Sequence, residues 1–179
     1  MEGQLYSVGI HPWDAAEASE DDCRRLADLA LRPEVVAIGE AGIDLSREVP
    51  LFRQLLLFRR QVEISEAVGK PMMIHCVKAM DILAGLHRDL HPCQLWCIHG
   101  FRGKAATAQM LLREGCYFSL GPGFRAETAR TIPADRLLAE TDADSEATIA
   151  GVIEALGQAR GEEEIMRIIA ANSAEFLKL

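Results

Sequence analysis

Four short apolar runs, each leading to a side chain that can bind a metal, constrain the fold of this chain more than any other feature. Val35 to Ile38 runs into Gly39-Glu40-Ala41-Gly42, and Met72-Met-Ile ends on His75. Leu95-Trp-Cys-Ile ends on His99, and Leu137-Leu-Ala-Glu-Thr ends on Asp142. Runs this short and this apolar read as strands buried on both faces, the pattern of a parallel sheet covered by helices. Glycine lets a backbone crowd a ligand, so the residues around Glu40 are expected to present its carboxylate on a tight turn at the strand's C-terminal end.

Helical spacing fills the intervals, over about 15–31, 50–68, 80–90, 103–114, 146–160 and 162–171, with Arg32-Pro33, Gly69-Lys70-Pro71 and His91-Pro92 as stops. Two further strands, Leu5 to Ile10 and Cys116 to Leu120, bring the strand count to six. Strands alternating with helices through short connections imply parallel pairing and right-handed crossovers. Ligand-type residues at the ends of the second, third, fourth and sixth strands favour a closed curve over an open sheet, because closure brings distant strand ends together. In (β/α) barrels the chemistry sits on that rim. The expected fold class is α/β, a (β/α) TIM-barrel-like architecture with about six visible strands, in a single domain over residues 1–179.

Charge narrows the function. A net charge of −8 leaves no broad basic face to coat nucleic acid. An enzyme that meets phosphate through bound cations is untouched by that argument, because the ion becomes the largest local charge. No apolar run reaches the ~18 residues of a membrane span, and Met1-Glu-Gly-Gln has no signal-peptide form, so the expected location is cytoplasmic, with no membrane partner. The five cysteines contain no C-x-x-C pair and fit inert thiols in a reducing compartment.

Glu40, His75, His99 and Asp142 together offer two carboxylates and two imidazoles, a donor set for one or two divalent ions: Zn, Mn or Fe, or Mg with more oxygen ligands. A single histidine ending an apolar strand is more often a hydrogen-bonded core residue. Four such residues at matching topological positions point instead to a metal site. Glu140 shares a face with Asp142 by strand alternation, so either can be the ligand. His11, Lys78, Arg102 and Arg125 lie just past strand ends, where they either contact an anionic substrate or are solvated loop charges. Trp13 either packs or lines a pocket.

Five stretches, in order, carry a family resemblance: Gly9-Ile-His-Pro12, Gly39-Glu-Ala-Gly-Ile-Asp44, Ile74-His-Cys76, His99-Gly-Phe-Arg-Gly103 and Glu140-Thr-Asp142. They resemble the signatures of the TatD-type metal-dependent hydrolases, described as deoxyribonucleases on a (β/α) barrel of the amidohydrolase type. The resemblance implies that Glu40 bridges two divalent ions and that His75 and His99 bind one of them. Asp142 would bind the other and orient or deprotonate the attacking water, with His11 near the phosphate. DNA or a small phosphodiester is the implied substrate. Family members open with a strand bearing His-x-His, and this sequence carries none. An N-terminally incomplete barrel with weak or absent activity is therefore expected, along with a homodimer formed through an open sheet edge. The alternatives are a metal-dependent hydrolase of another small ester or amide, and a non-catalytic remnant acting as a binding or scaffold protein.

Overall fold

All six expected strands form, each followed by helix, in the computed structural model, which describes residues 3–142 and 146–179. The chain divides into two compact units, Met1–Trp96 and Cys97–Leu179. In the first, β1 (Tyr6–Val8) pairs in parallel with β2 (Val35–Asp44), and β2 pairs in parallel with β3 (Met72–Val77). The helices are α1 (Glu20–Ala30), α2 (Leu51–Val68) and α3 (Met80–Leu90). Ser19 and Asp22 form a capping box that starts α1, and Gly69 in the left-handed conformation ends α2.

The expected turn at Glu40 is not there. β2 runs on for ten residues, with Glu40 inside the strand. Its register against β3 passes from Ile38↔Met72 to Ala41↔Ile74, one residue more on β2 than on β3. That extra residue makes a bulge, a device that re-aims a side chain without ending the ladder.

Two glutamines hold this region from α2. Gln61 accepts from the Ile10 amide at 2.8 Å and donates to the Ile10 carbonyl at 2.9 Å, which pins the chain just before His11. Gln54 accepts from the Asp44 amide at 2.7 Å and donates to the carbonyls of Asp44 at 3.1 Å and Val49 at 2.9 Å. Residues seven apart share a helix face, so one face of α2 fixes both backbone segments. Phe58 packs edge-on against Trp96, with ring centroids 5.2 Å apart, and Ile38, Ile43 and Ile74 are fully buried.

In the second unit, β5 (Tyr117–Leu120) pairs in parallel with both β4 (Trp96–Ile98) and β6 (Leu137–Ala139). Its helices are α4 (Ala105–Arg113), α5 (Ala126–Thr131), α6 (Ile149–Arg160) and α7 (Ile165–Leu177). Sequence spacing shows no α5, which is six residues long and largely polar. Nor does it carry the last helix past residue 171. Asn172, a poor helix former, is retained because its amide donates to the carbonyls of Ala134 at 2.7 Å and Leu137 at 2.8 Å. Among the described residues no helix is long and apolar enough to cross a membrane.

The thiols give a direct check on this packing. Cys23, Cys76, Cys97 and Cys116 are buried and Cys93 is exposed. Burial pushes the Cys76 thiol up to about 12 and the Cys97 thiol well above its ordinary value. Titration of the native protein with a chromogenic disulfide at pH 8 should therefore show one fast thiol, absent in Cys93→Ser, and the remainder only on unfolding. A second fast thiol would contradict the burial.

Candidate metal centre

His11 stands at the start of a 3₁₀ turn, Pro12–Asp14, and its Nδ1 accepts the backbone N–H of Trp13 at 3.3 Å. Glu40 projects from the β2 bulge and His75 from the middle of β3. Glu40 Oε2 lies 3.5 Å from His75 Nδ1 and 3.8 Å from His11 Nε2, and the two imidazole centroids are 4.4 Å apart. One ligand atom from each of the three residues falls within a 4.8 Å cluster, a geometry that can hold a metal ion.

Asp44 decides how the cluster is protonated. It is 2% exposed, and its carboxylate accepts from the Trp13 indole at 2.7 Å, from the Ser46 amide at 2.7 Å and from the Ser46 hydroxyl. His75 Nε2 lies 3.0 Å from the same carboxylate. Burial alone would raise the Asp44 pKa, but the hydrogen bonds from Ser46, Trp13 and His75 outweigh it and hold the group well below the usual carboxylate range. Asp44 is therefore an acceptor, His75 Nε2 carries the hydrogen, and Nδ1 turns a lone pair toward Glu40.

A lone pair and a carboxylate oxygen 3.5 Å apart need a positive charge between them. Either a proton or a cation supplies it. Burial works against a charged His75, yet the Glu40 and Asp44 interactions prevail and raise its pKa above the ordinary value. Where a metal takes the proton's place, the carboxylate–imidazole donor set with a buried carboxylate behind the imidazole is the usual arrangement for Zn or Mn. His11 behaves differently. Burial first, then the neighbouring His75 charge, lower its pKa. Its Nδ1 is already an acceptor, so the neutral ring carries its hydrogen on Nε2, facing Glu40. His11 is thus set up as a donor to an anion as much as a ligand.

The other predicted residues are not members of this cluster. Glu40 and His75 belong to the first unit, and His99 and Asp142 to the second. There His99 Nδ1 meets Glu140 Oε2 at 2.9 Å, so Glu140 is the carboxylate paired with His99, while Asp142 is exposed beyond β6. Lys78, exposed at the end of β3, takes a left-handed φ of 56°. Arg102 is exposed, and its carbonyl accepts from Arg125 Nε at 3.1 Å. Asp44 is the residue that sequence reasoning missed. The signal was present: Glu40, Gly42 and Asp44 are alternate residues of one strand and share a face.

Asp44→Asn keeps the side-chain shape and removes the charge behind His75. A partner one step removed from the metal typically contributes 10–100-fold in affinity, so a loss of about that size is expected in calorimetric titrations with Mn²⁺ or Zn²⁺, with the circular dichroism unchanged. Wild-type affinity in the variant would remove Asp44 from the centre.

The profile of the TatD-related DNases matches residues 2–178. The 3'-5' ssDNA/RNA exonuclease TatD of Cronobacter turicensis is 35% identical over 148 residues, covering 76% of this chain and 56% of that protein. An uncharacterized metal-dependent hydrolase of Bacillus subtilis, YabD, is 32% identical over 145 residues, covering 76% of this chain and 57% of its own length. This chain thus spans a little over half the length of these curated relatives. The crystal structure of the TatD homolog YJJV from Escherichia coli superposes with a TM-score of 0.86 at 22% identity, over 98% of this chain and 77% of the other. The likeness bears out the expected fold class, an incomplete (β/α) barrel.

Proposed function

The chain belongs to the TatD-related DNase family, and from that premise we propose that it is a divalent-metal-dependent hydrolase of phosphodiester bonds at the ends of single-stranded nucleic acid. The observation that supports this best is the approach of His75 Nδ1 and Glu40 Oε2, two acceptors 3.5 Å apart with a cation's place between them. The mixed nitrogen and oxygen donors favour Mn or Zn over Mg. His99 and Asp142 keep their sequence-based ligand roles in this reading, and Lys78 and Arg102 their substrate contacts.

A bound divalent ion would supply Lewis acidity at the phosphoryl oxygen. The chain's own residues do the rest. Asp44 fixes the His75 ring through Nε2, and Gln54 fixes the Asp44 backbone. His11 offers its Nε2 hydrogen to a phosphate oxygen, and Asp142 accepts the proton of the attacking water. The reading treats residues 1–179 as one domain, because the family match runs through both compact units. A cytoplasmic location and a homodimer through the exposed β1 edge belong to the same proposal, the latter checked by sedimentation.

The experiment is cleavage of 5'-labelled single-stranded DNA and RNA by the purified chain with Mn²⁺, Zn²⁺ or Mg²⁺, beside an amide substrate. Slow stepwise shortening from the 3' end, stopped by chelation and by Asp142→Asn, is expected, in keeping with the weak activity implied by the missing His-x-His. Metal uptake without phosphodiester cleavage would overturn the proposal, and cleavage of the amide alone would favour the other hydrolase reading.

A further inference from the structure

Beside the candidate centre stands an aromatic ring whose exposure the metal chemistry does not explain. Trp13 is 47% exposed, although burying an indole is strongly favourable. It is not loosely placed. Its Nε1 donates to the buried Asp44 at 2.7 Å, and its ring meets the His11 ring nearly perpendicularly, with centroids 4.7 Å apart. Its centroid is 6.3 Å from that of His75. The Arg47 guanidinium, on the exposed segment after β2, lies 4.1 Å from the ring centroid.

These features make a flat, rigid, half-open platform tied through one carboxylate to the histidine of the metal centre. An indole held this way stacks a nucleobase of any identity, because every base presents a π-face. A guanidinium already resting on the ring is the side chain that stacks on planes and pairs with phosphate equally well. In a chain of net charge −8 it places a cation next to the centre.

We propose that Trp13 and Arg47 form a nucleobase subsite, in which the indole stacks the base of the nucleotide whose phosphate faces Glu40 and His75, and Arg47 moves from the ring to a backbone phosphate. The inference rests on the proposed action on single-stranded nucleic acid and deepens it: the terminal base is held by stacking, without readout of its identity.

The test uses the metal-free chain of residues 1–179 in EDTA at low ionic strength, so that binding is read without hydrolysis. The other tryptophan, Trp96, is 1% exposed and acts as a spectator, so fluorescence quenching by a short single-stranded oligonucleotide reports on Trp13. Stacking of one base is worth about 1–3 kcal/mol, which is roughly a 5- to 150-fold change in affinity. Trp13→Ala should weaken oligonucleotide binding by about tenfold within that range. Trp13→Phe, which keeps an aromatic face and loses the bond to Asp44, should restore most of it. An abasic oligonucleotide of equal length should bind the wild type as weakly as the normal one binds Trp13→Ala. Equal binding of abasic and normal strands by the wild type would overturn the subsite, as would equal losses in the Phe and Ala variants, and the first comparison needs no variant to fold. Base-dependent binding without any metal-dependent cleavage would fault the proposed hydrolysis and leave the subsite standing.

Discussion

Replacing Glu40 by glutamine is expected to lower divalent-cation affinity by more than about 100-fold, a greater loss than any other single change at the centre should cause. The lower bound follows from its proposed role: outer partners of a metal ligand already contribute 10–100-fold, and the proposed function makes Glu40 a direct donor. Its Oε2 is the atom that both imidazoles approach, at 3.5 Å for His75 and 3.8 Å for His11. The side chain is 38% exposed, so the amide leaves no void and no stranded buried group, and the fold should survive. Proton competition gives a second readout. Ligation needs neutral His75, and the raised pKa of His75 keeps the competing proton bound to higher pH than an ordinary imidazole would. Wild-type affinity should therefore fall as pH drops through that raised value. In Glu40→Gln one of the interactions that raises it is gone, so the fall should begin at lower pH. Calorimetric titration across pH 5.5 to 8.5 measures both effects, and unchanged affinity in the variant would remove Glu40 from the ligand set.

The residues that the sequence makes conspicuous and those that build the site only partly coincide. Strands ending at His75 and His99 are legible because the apolar runs at 72–74 and 95–98 have few alternatives, though β3 continues to Val77. The length of β2 is not, since Gly39-Glu-Ala-Gly42 has poor strand propensity and reads as a turn. Pairing with β3 from Ala41 to Asp44 overrides that local preference. Glu40 and His75 were expected at strand ends and instead lie within β2 and β3. Asp44 was hidden because its importance lies in a contact with a residue 31 positions away. The support from α2 was hidden for a different reason: Gln54 and Gln61 are 1% and 0% exposed, and polar residues on a helix are ordinarily read as facing water. Periodicity reports which face is buried on average. It does not report a buried amide whose partners are the backbone of another segment.

The second large effect falls on a residue with no side chain. Gly42 lies opposite His75 in the β2–β3 ladder, and a Cβ built there would sit 1.8 Å from the His75 carbonyl oxygen, 2.7 Å from its carbon and 3.0 Å from its nitrogen. All three are backbone atoms, so no rotamer change relieves the contact and the strands must part. Inserting a methyl into packed structure usually costs 1–3 kcal/mol, and an unyielding obstacle belongs at or above the top of that range, so Gly42→Ala is expected to lose about 3 kcal/mol or more. For a chain of this length that corresponds to a fall in Tm of roughly 6–12 °C. Gly85→Ala is the matched control. It lies inside α3, where a Cβ meets nothing within 4 Å, and alanine there should raise stability by up to about 1 kcal/mol. Thermal unfolding of the two variants separates obstruction from the general preference of folded chains for alanine over glycine. A Gly42→Ala protein as stable as wild type would mean that the strands do not approach as described. Should the variant fold with reduced stability, the displaced His75 backbone carries its ring away from Glu40 and Asp44, and cation affinity should fall in the same protein. That coupled loss would tie the closeness of two strands directly to the chemistry at their surface.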